Sequence, residues 1–100
     1  MKYNKLIRDK IPENLNKKNV KYKIHIADEK EYEEKLREKL GEEMQEFLKN
    51  SNVEELADIL EVIYALCTFY KIDRKDLEKT RKEKFEKKGG FNDKIILEES

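Results

Sequence analysis

The stretch KLGEEMQEFLKNSNVEELADILEVIYAL, from Lys39 to Leu66, decides the fold: it carries two helical patterns joined by the turn signal Asn50-Ser51-Asn52. With roughly 100° of rotation per residue from Tyr32 to Lys49, Tyr32, Leu36, Leu40, Met44 and Phe47 fall in one arc, the stripe expected to face a core. Glu43 lies in the middle of that arc and Glu46 sits one turn on, at its edge. From Val53 to Tyr70 the apolar residues cover most of the circumference and leave a narrow polar column at Glu54, Glu61 and Thr68. Glu55 is outside that column, between Val62 and Leu66, and Asp58 points along the line of Ala65 and Phe69. Each helix therefore directs two carboxylates, three residues apart, at or beside its apolar face. Buried carboxylates must be paired, protonated or bound to a metal.

Working outward, the chain reads as a single all-α domain over residues 1–100 with minor extended segments. Pro12 suits the first turn of a short helix reaching about Lys18. Val20, Tyr22, Ile24 and Ile26 alternate with polar residues and predict a short edge or hairpin strand. Asp28 followed by Glu31 resembles a capping box at the start of the first long helix. Asp73 caps a third long helix running to about Lys88, which the glycine pair Gly89-Gly90 ends. The tail from Phe91 to Leu97 reads as extended, returning across the bundle or lying on a partner subunit.

Charged residues make up 46% of the chain, yet Lys+Arg and Asp+Glu are both 23, so the net charge is zero. That balance predicts no polymeric nucleic acid and no membrane as partner. The N-terminus has no signal-peptide pattern, and Asp58 and Glu61 break the densest apolar run, so a cytoplasmic protein is expected. Cys67 is the only cysteine and reads as a small core hydrophobe; His25 reads as an ordinary surface side chain.

The turn lies about midway between the two acid pairs, so antiparallel packing brings Glu43 and Glu46 near Glu55 and Asp58. With neither histidine nor cysteine beside them, an all-oxygen set suits Mg²⁺, with Mn²⁺ as a substitute, and such an ion commonly engages substrate phosphates. The same spacing also arises on solvated helix surfaces, where acids pair with lysines. Arg8 and Lys10 near a helix start, and Lys84, Lys87 and Lys88 beside the glycines, are the candidate phosphate-binding cations. Arg8 leads because a guanidinium holds phosphate bidentately.

At these residues the chain resembles the all-α nucleoside triphosphate pyrophosphohydrolases, the MazG-like superfamily that includes phosphoribosyl-ATP pyrophosphohydrolase. The resemblance rests on Glu42-Glu43-Met44-Gln45-Glu46 followed by Glu55-Leu56-Ala57-Asp58, with YNKLIRDKIPE from Tyr3 to Glu13 and KKGGF from Lys87 to Phe91 in support. It implies a helical bundle, Mg²⁺ dependence, and cleavage of a nucleotide between its α- and β-phosphates to a monophosphate and pyrophosphate. By motif position it implies Glu43, Glu46, Glu55 and Asp58 as metal ligands, with one of them or Glu42 orienting the attacking water. The segment from Phe47 to Glu54 is shorter than in many MazG-like proteins, which bears on base specificity more than on metal binding. A non-catalytic nucleotide-binding module and a plain helical interaction protein are the other readings. The apolar circumference of the second long helix exceeds what one partner helix covers, which predicts a homodimer or larger homo-oligomer.

Overall fold

The computed structural model describes residues 4–100; Tyr3, the first residue of the N-terminal segment above, lies outside them. The chain is all-helical: α1 (Ile11–Lys17), α2 (Glu29–Asn50), α3 (Val53–Phe69) and α4 (Arg74–Lys88). Each long helix starts where a side chain satisfies an otherwise orphaned backbone N–H. Asp28 accepts from Glu31 N at 2.8 Å, Asn52 from Glu55 N at 3.0 Å and Asp73 from Lys75 N at 2.8 Å. The capping box is only half formed, because the Glu31 carboxylate turns to His25 Nε2 at 2.9 Å instead of back to the cap. Between α2 and α3 only Ser51 and Asn52 are non-helical. Ser51 is left-handed (φ 49°), and its N–H bonds Phe47 O at 2.7 Å. At the far end Gly89 leaves α4 with φ 78°, a conformation glycine adopts without strain.

So short a turn forces α2 and α3 into an antiparallel hairpin, the one extensive helix pair among the described residues. Leu36, Val62 and Cys67 form its buried apolar centre, with Leu36 the only large side chain fully enclosed. Tyr32 and Phe69 meet edge to face at 5.7 Å near the open end of the hairpin. There the Tyr70 hydroxyl donates to Glu33 Oε2 at 2.6 Å and accepts from Arg37 Nη2 at 3.0 Å. The Tyr70 hydrogen bond, with the charge of Glu33 behind it, holds the Arg37 guanidinium above its ordinary pKa.

Two expectations need correction. Residues 20–26 form no strand, and no strand occurs among the described residues; Ile24 and Ile26 stand 50% and 90% exposed. Alternation prepares one face of a strand, but the ladder needs a second extended segment to complete its hydrogen bonds, and none lies alongside. Nor does the tail return across the bundle: Phe91, Ile95, Ile96 and Leu97 are all at least 79% exposed. α4 likewise has no buried residue. Its start is fixed by Ile72 N–H bonding Cys67 O at 2.8 Å and by the Arg74 guanidinium 3.9 Å over the Tyr64 ring.

Candidate functional site

The hairpin has two unlike edges. Along one, the flank of α2 carrying Glu42 and Glu46 meets the flank of α3 carrying Asp58. Along the other, Leu40, Met44, Phe47, Leu48, Ile59 and Ile63 line an apolar groove. On the acidic edge one carboxylate oxygen from each of Glu43, Glu55 and Asp58 falls within 4.8 Å of the other two. Such a gathering follows from the local folding: Asn52 starts α3 so that Glu55 and Asp58 sit in its first two turns, opposite the penultimate turns of α2.

Glu43 is the one buried charged residue among those described. Its neutralising partner is Lys39 Nζ at 3.3 Å, one turn back on α2, and the same ammonium reaches Glu42 at 3.4 Å. Asn50 Nδ2 donates to Glu55 Oε1 at 3.4 Å. From outside the hairpin, Arg8 Nη2 donates to Asp58 Oδ1 at 2.7 Å and Lys5 Nζ approaches Glu42 Oε1 at 3.4 Å. The irregular segment before α1 is thus moored along the acidic edge by its cations.

Around an octahedral Mg²⁺ with bonds of about 2.1 Å, ligand oxygens stand about 3.0 Å apart when adjacent and about 4.2 Å apart when opposite. The three carboxylates therefore fit such a cation after side-chain shifts of about an ångström or less. An oxygen-only donor set of charge −3 suits a hard divalent ion and disfavours zinc. Arg8 and Asp58 are 55% and 39% exposed, and a pair so open to water contributes at most about 1 kcal/mol, so an incoming cation displaces it at little cost.

Of the four ligands expected from the motif, the structure gathers Glu43, Glu55 and Asp58; Glu46 is half-buried one turn on and outside the group. Of the candidate phosphate cations, Arg8 alone reaches these acids. Lys10 is exposed at the N-cap of α1. Lys84, Lys87 and Lys88 lie on α4, exposed and without an ion pair to the acidic edge, because α4 does not fold back onto the hairpin. Sequence reasoning missed Lys39, although its spacing to Glu42 and Glu43 is that of helical i,i+3 and i,i+4 pairs and was available as a signal. The long-range moorings of Arg8 and Lys5 had no local signal. Compared with protein-family models, curated proteins and solved structures, the chain matches none. No described helix is long and apolar enough to cross a membrane.

Proposed function

We propose that this chain is a Mg²⁺-dependent nucleotide pyrophosphohydrolase of the MazG-like kind, cleaving the bond between the α- and β-phosphates of a nucleoside triphosphate or a phosphoribosyl-ATP-like substrate. The observation that carries the reading is the approach of Glu43, Glu55 and Asp58 oxygens to within 4.8 Å across two helices, on residues the two acidic motifs single out. Glu43, Glu55 and Asp58 would hold the cation, which when bound would neutralise phosphate charge and lower the pKa of a water. Glu42 already shares its charge with Lys5 and Lys39, whereas Glu46 is free of such pairs and adjoins the group. Glu46 is therefore the better base to orient the attacking water. With Asp58 given over to the cation, the Arg8 fork would be free to take a substrate phosphate. Releasing pyrophosphate and a monophosphate from a panel of canonical and modified triphosphates with Mg²⁺, and not with a chelator, is the expected result. A panel that yields no Mg²⁺-dependent pyrophosphate, including phosphoribosyl-ATP, sinks the enzymatic reading.

A second reading has its own observation: Glu42, Glu43 and Asp58 each have a lysine or arginine within 3.4 Å. On that reading the acids fasten the N-terminal segment to the hairpin of a helical interaction module. Titration with Mg²⁺ separates the two, since a fastening device gains nothing from a divalent cation and loosens as salt screens it.

A further inference from the structure

Among the described residues Lys5, Arg8 and Lys39 reach the acids, and the three are not equivalent. The Lys5 and Arg8 side chains are 46% and 55% exposed and arrive from the irregular segment before α1. Lys39 is only 18% exposed and rises from α2 itself. Helical spacing puts its ammonium beside both carboxylates of the following turn, 3.4 Å from Glu42 Oε2 and 3.3 Å from Glu43 Oε1. Glu43 is buried, and a buried carboxylate stripped of its counter-charge is costly. An exposed ion pair is cheap to break, whereas the shielded pair of Lys39 with Glu43 resists separation.

The place that Lys39 takes bears on how many ions the acidic edge can hold. Two-metal sites keep their ions about 3.5–4 Å apart, and a carboxylate that bridges two such ions commonly gives one oxygen to each. On Glu43 the Oε1 oxygen already faces the Lys39 ammonium. Glu42, the adjoining carboxylate on α2, meets the same ammonium through Oε2 and Lys5 through Oε1. The charges point the same way. Lys5 balances Glu42, and Lys39 leaves two of the three negative charges on Glu43, Glu55 and Asp58 for a metal to cancel. One divalent cation brings that group to neutrality; a second would leave it positive.

On the strength of the metal site proposed above, we infer that Lys39 is a positioning residue that limits the acidic edge to a single divalent cation. Its ammonium fills the place between Glu42 and Glu43 that a second ion would need, and it holds the Glu43 carboxylate in place for the first. Lys39 acts through these two carboxylates and not on a substrate.

The test uses the full chain as wild type, as Lys39→Met, which keeps an apolar stem and removes the charge, and as Lys39→Arg, which restores the charge. Mn²⁺ is the probe: the free ion is counted by its paramagnetic resonance, and two bound ions within about 4 Å betray themselves by spin coupling. Wild type and Lys39→Arg should each bind one Mn²⁺ with an uncoupled signal. Lys39→Met should bind two, and they should be coupled. Without metal, Lys39→Met should melt below wild type, and Mn²⁺ should raise its Tm by more, because the ions supply the missing counter-charge. Circular dichroism checks that the helices persist; Lys39→Gln, which keeps a neutral donor beside Glu43, repeats the count if Lys39→Met loses them. Two ions in wild type or in Lys39→Arg, or a single ion in the neutral variants, would overturn the inference and leave the metal site standing. No Mn²⁺ on any form would remove the metal site and the inference with it.

Discussion

Asp58→Asn keeps shape and hydrogen-bonding reach while removing one of three charges. In the metal-free protein it breaks the Arg8–Asp58 pair, worth at most about 1 kcal/mol at such exposure. It also relieves repulsion from Glu43 and Glu55: unit charges about 4.8 Å apart repel by about 0.9 kcal/mol in water and about 3.5 kcal/mol at an effective dielectric of 20. The metal-free variant should therefore be as stable as wild type or more stable, by about 0–2 kcal/mol. With Mg²⁺ the order reverses. At a Mg²⁺ concentration 100 times its Kd for wild type, binding stabilises the native state by about 2.7 kcal/mol. Loss of a ligand should weaken binding at least as much as loss of a supporting partner, about 10–100-fold. At the upper end the gain for the variant shrinks to about 0.4 kcal/mol. At about 4–8 °C per kcal/mol, wild type should rise about 10–20 °C in Tm and the variant about 2–3 °C. Calorimetric scans of both proteins with Mg²⁺ and with a chelator read this directly, and Mg²⁺-dependent turnover should fall by orders of magnitude in parallel. Glu61→Gln, three positions on and exposed on α3, is the control and should respond as wild type does. Equal Mg²⁺-induced shifts in Asp58→Asn and wild type would refute the site.

Leu36→Ala truncates the one fully enclosed large side chain among the described residues and should cost about 2–5 kcal/mol in urea unfolding; a loss below about 1 kcal/mol would mean the hairpin is not where the stability lies. Tyr70→Phe removes the hydroxyl that joins Arg37 and Glu33 to the end of α3 and should cost about 1 kcal/mol, measured the same way; no change would show that the network forms without consequence. On α4 the hydrogen bonds from Arg81 hold the Glu78 carboxyl below its ordinary 4.5. A lowered folded-state pKa stabilises above the unfolded value and is lost as pH falls through the folded one. The helicity of α4 should therefore fall on acidification below about pH 4.5, and Glu78→Gln should abolish that component; an identical acid titration by circular dichroism in Glu78→Gln would contradict it.

The acidic site was partly legible because its parts are local. Glu43 reads as an anomaly on an apolar arc, and Glu55 and Asp58 depart from the polar column of α3, both visible in helical rotation alone. The short turn then fixes that the arcs meet. Glu46 shares the motif spacing but lies at the edge of its arc, and a rotation of about 60° from Glu43 is enough to leave it outside the group. Spacing along a helix sets direction, but reach across to another helix depends on the packing.

By itself, the sequence determined the elements whose causes act within a few residues: the caps at Asp28, Asn52 and Asp73, the stop at Gly89, and the two amphipathic patterns that make a hairpin. Those depend on single backbone N–H groups, on φ, and on periodicity, all encoded within one or two turns. Only the tertiary structure decided that Arg8 reaches Asp58 across fifty positions, that residues 20–26 find no strand to pair with, and that α4 with its lysines leaves the acids behind. Each of these turns on which surfaces meet at long range, where an alternating pattern or a run of cations is compatible with several partners and local chemistry favours none.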